Sequence, residues 1–241
     1  MRILITNDDG AGAAQLVPFI RWCRTLGDVT VIVPKSEQSA KSHSIEIHKA
    51  FEAKQVELAD DITIWTVDST PADCVRFACS GLKLRFDLVI SGVNRGLNLG
   101  HDIMYSGTFA AACEAVNNGM KALAISTTVK GYLHATRHLD WIFDYLREHQ
   151  LLQKNSLYNI NIPEEPKGIR ITCQGGPYFL ETFQALENDM YMPVGKPIQS
   201  VGLDPTLDTV AHRQGYISIS PMTTDRTCHS LFRQLQHLNN E

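Results

Sequence analysis

Two adjacent acidic residues, Asp8 and Asp9, follow the apolar run Arg2–Thr6 near the start of the chain. Neighbouring carboxylates repel each other, and both would repel a bare phosphate. A divalent cation between them and an anionic ligand removes both problems, and oxygen ligands favour magnesium or manganese over zinc. The alternative is structural, with one aspartate capping the next helix and the other solvated. Their position after a predicted strand favours the metal site.

A second candidate segment, residues 91–102, has the sequence SGVNRGLNLGHD. Its glycines permit backbone conformations that are closed to other residues, and Asn94 offers a neutral amide oxygen to a metal ion. Asn98 is either a turn residue or a contact to the ligand. His101 is either solvated or a proton donor to a leaving group.

Ser106, Gly107 and Thr108 follow this segment and precede an alanine-rich helix. Free backbone N–H groups and the positive end of the helix dipole suit a phosphate, and the two hydroxyls add donors. One of the two hydroxyls is also expected to be the helix N-cap, which does not exclude anion binding.

Signatures of other cofactors are incomplete. The segment 10–12 begins like a dinucleotide fingerprint, but Gln15 stands where its third glycine belongs, and no phosphate loop ending in Gly-Lys-Ser/Thr occurs. His134 and His138 have no acid between them, so they predict a solvated helix face. The six cysteines form no CxxC pair, which indicates small buried side chains and neither a zinc site nor disulfides.

Composition excludes further classes of protein. The chain has 241 residues, with 22 basic and 26 acidic side chains. This predicts one large domain or a domain with an appendage, and no stable complex with polymeric nucleic acid. No apolar stretch approaches the roughly 20 residues of a membrane span, and no basic leader precedes one. We therefore expect a soluble, cytoplasmic protein without a membrane partner.

The elements that must position these residues alternate between strands and helices. Almost continuously apolar strands separated by helices predict an α/β fold with a doubly wound, mostly parallel, Rossmann-like sheet. The predicted strands are Arg2–Thr6, Val29–Val33, Ile62–Val67, Phe86–Ile90 and Ala122–Ser126, with helices at about 13–26, 71–80, 108 onward and 133–149.

Ligands of such sheets lie beyond the carboxyl ends of the strands, where the loops after the first, second and fourth predicted strands meet. The second of these loops, residues 34–44, would by itself be a solvated turn. Its serines gain interest only because the topology could bring them beside Asp8 and Asp9.

In the last third of the chain, alternating strands and helices give way to a segment rich in glycine, proline, methionine and aromatic residues. This change predicts a catalytic core over 1–172 and a C-terminal β-rich extension over 173–241. The extension combines an arm over about 175–202, a strand over 216–221 and a helix over about 227–238. The apolar side chains of the arm serve either a partner or a local packing lid. They are Tyr178, Phe179, Phe183, Tyr191 and Met192.

Taken together, five motifs resemble the SurE family, the survival protein E nucleotidases. They are ITNDDG at 5–10, STPADCV at 69–75, SGVNRGLNLG at 91–100, YSGT at 105–108 and GYISISP at 215–221. The resemblance runs in the family's order from Met1 to about Met222.

The resemblance implies a phosphomonoesterase that hydrolyses nucleoside 5′-monophosphates, and also 3′-monophosphates, to nucleoside and phosphate. It implies one divalent cation per subunit, Mg²⁺ or Mn²⁺, and a homodimer or homotetramer with an exchanged C-terminal segment. Carried over by motif, the metal ligands are Asp8, Asp9, Ser39 and Asn94, and the residues around the phosphate are Asn98, Ser106, Gly107 and Thr108. The chain departs from the family pattern at Ala40, where glycine is usual, and at residues 11–15.

The predicted mechanism uses Asp8 or Asp9 as the base that takes a proton from the attacking water. One alternative is an aspartyl-phosphate phosphatase with Asp8 as nucleophile. Such enzymes have a second acid two residues after the nucleophile, and this chain has Gly10 there, which disfavours the alternative. Another is a non-catalytic nucleotide or metal sensor, which would have little need of the complete set of polar residues.

Overall fold

A computed structural model describes residues 1–198 and 202–240, so the part of the predicted arm at 199–201 and residue 241 lie outside the described residues. A nine-stranded sheet forms the centre, in the order β3-β4-β2-β1-β5-β6-β7-β11-β8, and β9 and β10 form a separate antiparallel pair. The α/β fold with a mostly parallel central sheet is confirmed.

The strands of the molecule have the following bounds: β1 Arg2–Thr6, β2 Asp28–Pro34, β3 Ala53–Ala59, β4 Ile62–Val67, β5 Leu88–Arg95, β6 Lys121–Thr127, β7 Leu157–Ile162, β8 Gly168–Ile171, β9 Phe179–Ala185, β10 Tyr191–Pro197 and β11 Tyr216–Pro221. The α-helices are α1 Leu16–Cys23, α2 Pro71–Arg76, α3 Gly107–Asn117, α4 Leu139–Glu148, α5 Leu151–Lys154, α6 Asp208–Arg213 and α7 His229–Leu235. Among the described residues, no helix is long and apolar enough to cross a membrane.

Helices cover both faces of the sheet because its central strands are apolar on both sides. On one face Ile3 and Ile5 of β1 belong to a core cluster with Phe19 of α1 and Ile142 of α4. On the other face Leu4 belongs to a cluster formed with α2 and α3. This two-sided burial fixes the register of β1 and so fixes where its carboxyl end lies.

The winding of the sheet reverses at β1, which pairs in parallel with β2 on one side and with β5 on the other. A crevice therefore forms beyond the carboxyl ends of β1 and β5, the usual ligand position in such folds. Residues that follow β1 and those at the end of β5 meet there.

Strand β5 extends to Arg95, so Asn94 lies on a strand and not in the predicted loop. The extension is possible because the register with β6 shifts between Ser91 and Asn94. Gly92 allows this close approach, since a Cβ atom there would lie 2.3 Å from the carbonyl oxygen of Ile125.

Several elements differ from the prediction. Strand β3 was not predicted; it is an edge strand without a fully buried residue that pairs antiparallel with β4. The predicted helix over 133–149 begins as a 3₁₀-helix at Tyr132–His138, and only Leu139–Glu148 is α-helical. The predicted helix over 71–80 ends as an α-helix at Arg76 and continues as a π-turn.

The C-terminal region returns to the main sheet, where β11 lies between β7 and β8. By contrast, every residue of β9 is exposed and α7 buries none of its residues. The predicted arm thus contains an antiparallel hairpin, and the division of the chain at residue 172 stays a prediction.

Candidate functional site

Asp8 lies at the carboxyl end of β1, where it is only 4% exposed and packs against the first turn of α3. The Thr108 hydroxyl donates a hydrogen bond of 2.5 Å to Oδ1 of Asp8. Gly107 packs closely beside it, since a Cβ atom there would lie 3.1 Å from Cβ of Asp8, tighter than an ordinary contact. The start of α3 therefore fixes this carboxylate.

The pKa of the Asp8 carboxyl is raised to about 6. Burial is the main cause, and the charge of Asp9 adds to it, while the hydrogen bond from Thr108 opposes it. A buried carboxyl with a raised pKa lacks the positive partner that would normally accompany its charge.

Asp9 is half-buried, and the backbone N–H of Arg95 donates a hydrogen bond of 3.1 Å to its Oδ2. Burial raises its pKa, and the nearby charge of Glu37 raises it further. Glu37 was not predicted as part of the site. The crevice thus concentrates negative charge from Asp8, Asp9 and Glu37.

The structural alternative for the aspartates is not observed, because the N-cap of α1 is Gln15 and no side chain caps that helix. The turn is instead closed by Asn7, which exchanges two hydrogen bonds with the backbone of Gly10, at 3.0 and 3.1 Å. Gly10 has a φ of 82°, a conformation that favours glycine.

The loop after β2 lies against the loop after β1, as the topology predicted. The N–H of Gln38 donates to the carbonyl of Asp8 at 2.7 Å, and the N–H of Ala11 donates to that of Pro34 at 2.9 Å. Ser39 is exposed, and its hydroxyl donates to Glu37 at 2.7 Å. Ala40 has a φ of 58°, so the residue that replaces the usual glycine occupies a left-handed conformation.

Asn94 is 9% exposed, and its amide nitrogen donates to the carbonyl of Gly96 at 2.9 Å. This bond uses the donor end of the amide, and the oxygen end is the one suited to a cation. Within the described residues no three His, Cys, Asp or Glu side chains gather as a metal site. A cation in this crevice would depend on carboxylates supplemented by neutral oxygens, a donor set that suits a hard divalent ion.

Ser106 is the N-cap of α3, and its hydroxyl accepts a hydrogen bond of 3.0 Å from the N–H of Phe109. The expectation that one of the two hydroxyls caps this helix is confirmed. The N–H groups of Gly107 and Thr108 belong to the first turn, where an α-helix offers them no partner. The Thr108 hydroxyl is already used on Asp8, so backbone groups are the main donors left for an anion.

The backbone of Asn98 is hydrogen-bonded to two asparagines of β7, which were not predicted as part of the site. Its N–H donates to Oδ1 of Asn161 at 2.8 Å, and its carbonyl accepts from the amides of Asn159 and Asn161 at 2.8 and 3.0 Å. Its own amide nitrogen donates to the Ser126 hydroxyl at 2.7 Å, inside the protein. Two asparagines separated by one residue in a buried strand were the signal that could have revealed this role.

A second missed residue, Asp208 of α6, holds the same loop at Gly100. Its buried carboxylate accepts from the N–H groups of Gly100 at 3.0 Å and Gly175 at 2.8 Å. Exposed His101 is attached nearby through its backbone N–H, which donates to the carbonyl of Gly176 at 3.3 Å. The base of the C-terminal arm therefore contacts the loop that carries Asn98.

Tyr132 is a further unpredicted residue near the aspartates. It is 5% exposed, and its hydroxyl accepts a long hydrogen bond of 3.4 Å from the N–H of Gln15. Its pKa is raised by burial first and then by the charge of Asp9.

The sequence and the fold of this chain are similar to those of known proteins. The family model described as "Survival protein SurE" matches residues 3–180. The chain is 36% identical to the "5'-nucleotidase SurE" of Thermoanaerobacter sp. (strain X514), over 98% of this chain and 97% of that protein. It is 37% identical to the protein of the same name from Desulforudis audaxviator, over 94% of this chain and 93% of that protein. The crystal structure of a SurE protein from Aquifex aeolicus superimposes with a TM-score of 0.80 at 27% identity, covering 99% of this chain and 100% of that one.

The raised pKa of Asp8 predicts a pH-dependent effect of Asp8→Asn on the stability of the metal-free protein. Folding favours the protonated carboxyl, so wild-type stability is lost as the pH rises through about 6. The free energy of unfolding is measured in urea with a chelator present. From pH 4 to pH 8, that of Asp8→Asn should rise relative to that of the wild type by up to about 3 kcal/mol. The control is Asp28→Asn, at an exposed residue that begins β2, at the opposite end of the strands from Asp8. A difference for Asp8→Asn that does not change with pH would contradict the assignment.

The asparagine contacts predict that Asn161→Ala destabilises the protein by about 2–4 kcal/mol, because it leaves the buried N–H of Asn98 unpaired. Urea unfolding measures this loss. Asn155→Ala is a matched control, since the amide of Asn155 donates to two backbone carbonyls at the other end of β7. The KM for a nucleotide should rise only in Asn161→Ala; equal KM values in both variants would argue that Asn161 does not position the loop.

Proposed function

Because this chain belongs to the SurE family, it is a 5′-nucleotidase, and we propose that the crevice beyond β1 and β5 is its active site. One observation carries this assignment: the buried Asp8 carboxylate, with its raised pKa, is bonded to Thr108 in the first turn of α3. A site for a cation and a site for a phosphate are thereby adjacent. The products are a nucleoside and inorganic phosphate.

The family uses a divalent metal cofactor, and we assign its ligands to Asp8, Asp9, Asn94 and Ser39. Asp8 and Asp9 follow β1, and Asn94 lies near the end of the neighbouring strand β5, which supports this assignment. Ser39 has to turn its hydroxyl away from Glu37. One Mg²⁺ or Mn²⁺ per chain fits this set of hard oxygen donors. When bound, the cation supplies positive charge that polarises the phosphoryl group and makes water easier to deprotonate.

The phosphate is assigned to the first turn of α3. The N–H groups of Gly107 and Thr108 bind its oxygens, and the Ser106 hydroxyl, which accepts from Phe109, still has its own proton to donate. These donors stabilise the charge that develops on the phosphoryl oxygens during hydrolysis. Asn98 shapes the adjoining loop through its backbone.

Asp9 is the general base in this proposal. Asp8 is fixed by Thr108 and nearly inaccessible to water, whereas Asp9 is half-buried and uses Oδ2 for the N–H of Arg95. A half-buried carboxylate can be reached by the attacking water and can accept its proton. Asp9 takes a proton from the water that attacks phosphorus in line with the departing nucleoside oxygen, and that oxygen takes up a proton from solvent as its bond to phosphorus breaks.

The exposed apolar residues at the C-terminus support an oligomer in which a second copy of the chain covers them. In the hairpin, Phe183 is 71% and Tyr191 65% exposed, and in α7 Phe232 is 48% exposed. Patches of this kind usually mark interaction sites. We assign them to a homodimer or homotetramer with an exchanged C-terminal segment.

Asp9→Asn is expected to lower phosphate release from adenosine 5′-monophosphate by about 10²–10⁴-fold, the usual contribution of a general base. The assay is run with and without a chelator, which should abolish wild-type release. Asp28→Asn should match the wild type. Full activity of Asp9→Asn would refute the role of Asp9, and chelator-resistant release would refute the metal assignment.

The covalent alternative has a separate test. Acid quenching during a single turnover should recover no phosphate bound to the protein. Phosphate bound covalently to Asp8, trapped by borohydride reduction and located by peptide mass spectrometry, would instead establish an aspartyl-phosphate route.

Phe183→Glu is expected to convert the assembly to a 26.9 kDa monomer, because a charge cannot be buried cheaply in an apolar interface. Light scattering after gel filtration measures the mass. The control is Leu203→Glu at a residue that is 92% exposed outside the hairpin. A wild-type chain that is already monomeric would contradict the proposal.

A further inference from the structure

Asp208 is the first residue of α6, and its carboxylate is completely buried. Its Oδ2 accepts a hydrogen bond of 3.0 Å from the N–H of Gly100. Its Oδ1 accepts bonds of 2.8 and 2.7 Å from the N–H groups of Gly175 and Thr209. The three donors belong to the loop that carries Asn98, to the base of the C-terminal arm and to α6 itself, so one carboxylate joins three segments of the chain.

We propose that Asp208 is a positioning residue for the phosphate site and acts through the backbone of Gly100. The inference rests on the proposed function, because it needs the phosphate at the first turn of α3. It gives a role in the reaction to a residue that does not touch the substrate.

The two bonds from other segments require a carboxylate at position 208. Burial raises the pKa of Asp208, and the N–H groups of Gly100, Gly175 and Thr209 oppose this rise. An asparagine of the same size has one carbonyl oxygen, and its NH₂ group would face one of these N–H groups, donor against donor. The buried charge is therefore the means by which both loops are held at once.

Gly100 is confined on several sides. Its φ of 51° favours glycine, and a Cβ atom there would lie 1.9 Å from the carbonyl oxygen of Gly176. Its carbonyl accepts a hydrogen bond of 2.8 Å from the side-chain amide of Gln174, while its N–H donates to Asp208. Both polar groups of this residue are thus bonded to the C-terminal part of the chain.

The position of Gly100 determines where both parts of the proposed phosphate site lie. Asn98 is two residues before it and Ser106 is six residues after it. The intervening segment is the 3₁₀-helix Gly100–Tyr105, which begins and ends with turn hydrogen bonds of 3.0 and 3.2 Å. A shift of Gly100 would therefore move Asn98 and the N-cap of α3, and a misplacement of about 1 Å can lower a rate about 10²-fold.

The proposed metal ligands lie outside this segment. Asp8 and Asp9 follow β1, Asn94 is in β5 and Ser39 is in the loop after β2. Loss of Asp208 should therefore disturb the phosphate site and leave metal binding intact. A merely structural role would not separate these two properties.

The test measures kcat/KM for adenosine 5′-monophosphate at saturating Mn²⁺, and the affinity for Mn²⁺ by calorimetry. Asp208→Asn should lower kcat/KM by about 10- to 100-fold, the effect of losing a hydrogen bond to a charged group, with an unchanged Mn²⁺ affinity. The control is Thr172→Val, which removes a buried hydrogen bond of 2.7 Å between Thr172 and Ser220. Both of its values should match those of the wild type.

A second pair of variants displaces Asp208 without replacing it, and decides the question if Asp208→Asn does not fold. A Cβ atom on Gly175 would lie 2.9 Å from Oδ1 of Asp208 and 2.4 Å from Oγ1 of Thr209, whereas one on Gly176 would meet nothing within 4 Å. Gly175→Ala should therefore lower kcat/KM and keep the Mn²⁺ affinity. Gly176→Ala should match the wild type in both.

The outcomes separate this inference from the proposed function. If the wild type releases no phosphate, the proposed function fails. If the wild type is active and the folded Asp208→Asn and Gly175→Ala variants keep its kcat/KM, Asp208 does not position the site. If these variants lose Mn²⁺ affinity as strongly as kcat/KM, they disturb the whole crevice and the inference is overturned.

Discussion

The rest of the site depends on one constraint, the burial of the Asp8 carboxylate against the first turn of α3. Strand β1 is buried on both faces, which leaves this residue no freedom to turn toward solvent. Thr108 and Gly107 then enclose it, the first by a hydrogen bond and the second by the absence of a side chain. The protein keeps a carboxyl group where its negative charge is unfavourable, and a bound cation is the simplest way to balance that charge.

The loops around this carboxylate are held by buried polar contacts. Asn7 closes the turn after β1, Asn159 and Asn161 hold Asn98, and Asp208 holds Gly100. Each of these bonds ends on a backbone group, so they fix the path of the chain instead of one rotamer. Because Asp208 also accepts from the N–H of Gly175, the base of the C-terminal arm and the loop that carries Asn98 share one anchor.

The sequence predicted those parts of the molecule that depend on local pattern. The apolar run of β1, the alternation of β11 and the cap–proline–acid signal at Thr70 all correspond to observed elements. Strand β3 has no such pattern, since an exposed edge strand is specified by its pairing with β4 and not by periodicity. The roles of Glu37, Tyr132 and Asp208 were also beyond prediction, because contacts between residues far apart in the sequence create them. For Ser39, the approach of its loop to the loop that carries Asp8 and Asp9 was predicted, but the hydrogen bond of its hydroxyl to Glu37 was not.

The central claim, that Asp8 and its neighbours are built to hold a divalent cation, is tested most directly by titrating Mn²⁺ into chelator-treated protein. Calorimetry should give one ion per chain for the wild type and for Asp28→Asn, with release of protons at pH 6 as the Asp8 carboxyl ionises. Asp8→Asn should lose this binding while keeping its fold. Undiminished binding of Mn²⁺ to a folded Asp8→Asn variant would contradict the account.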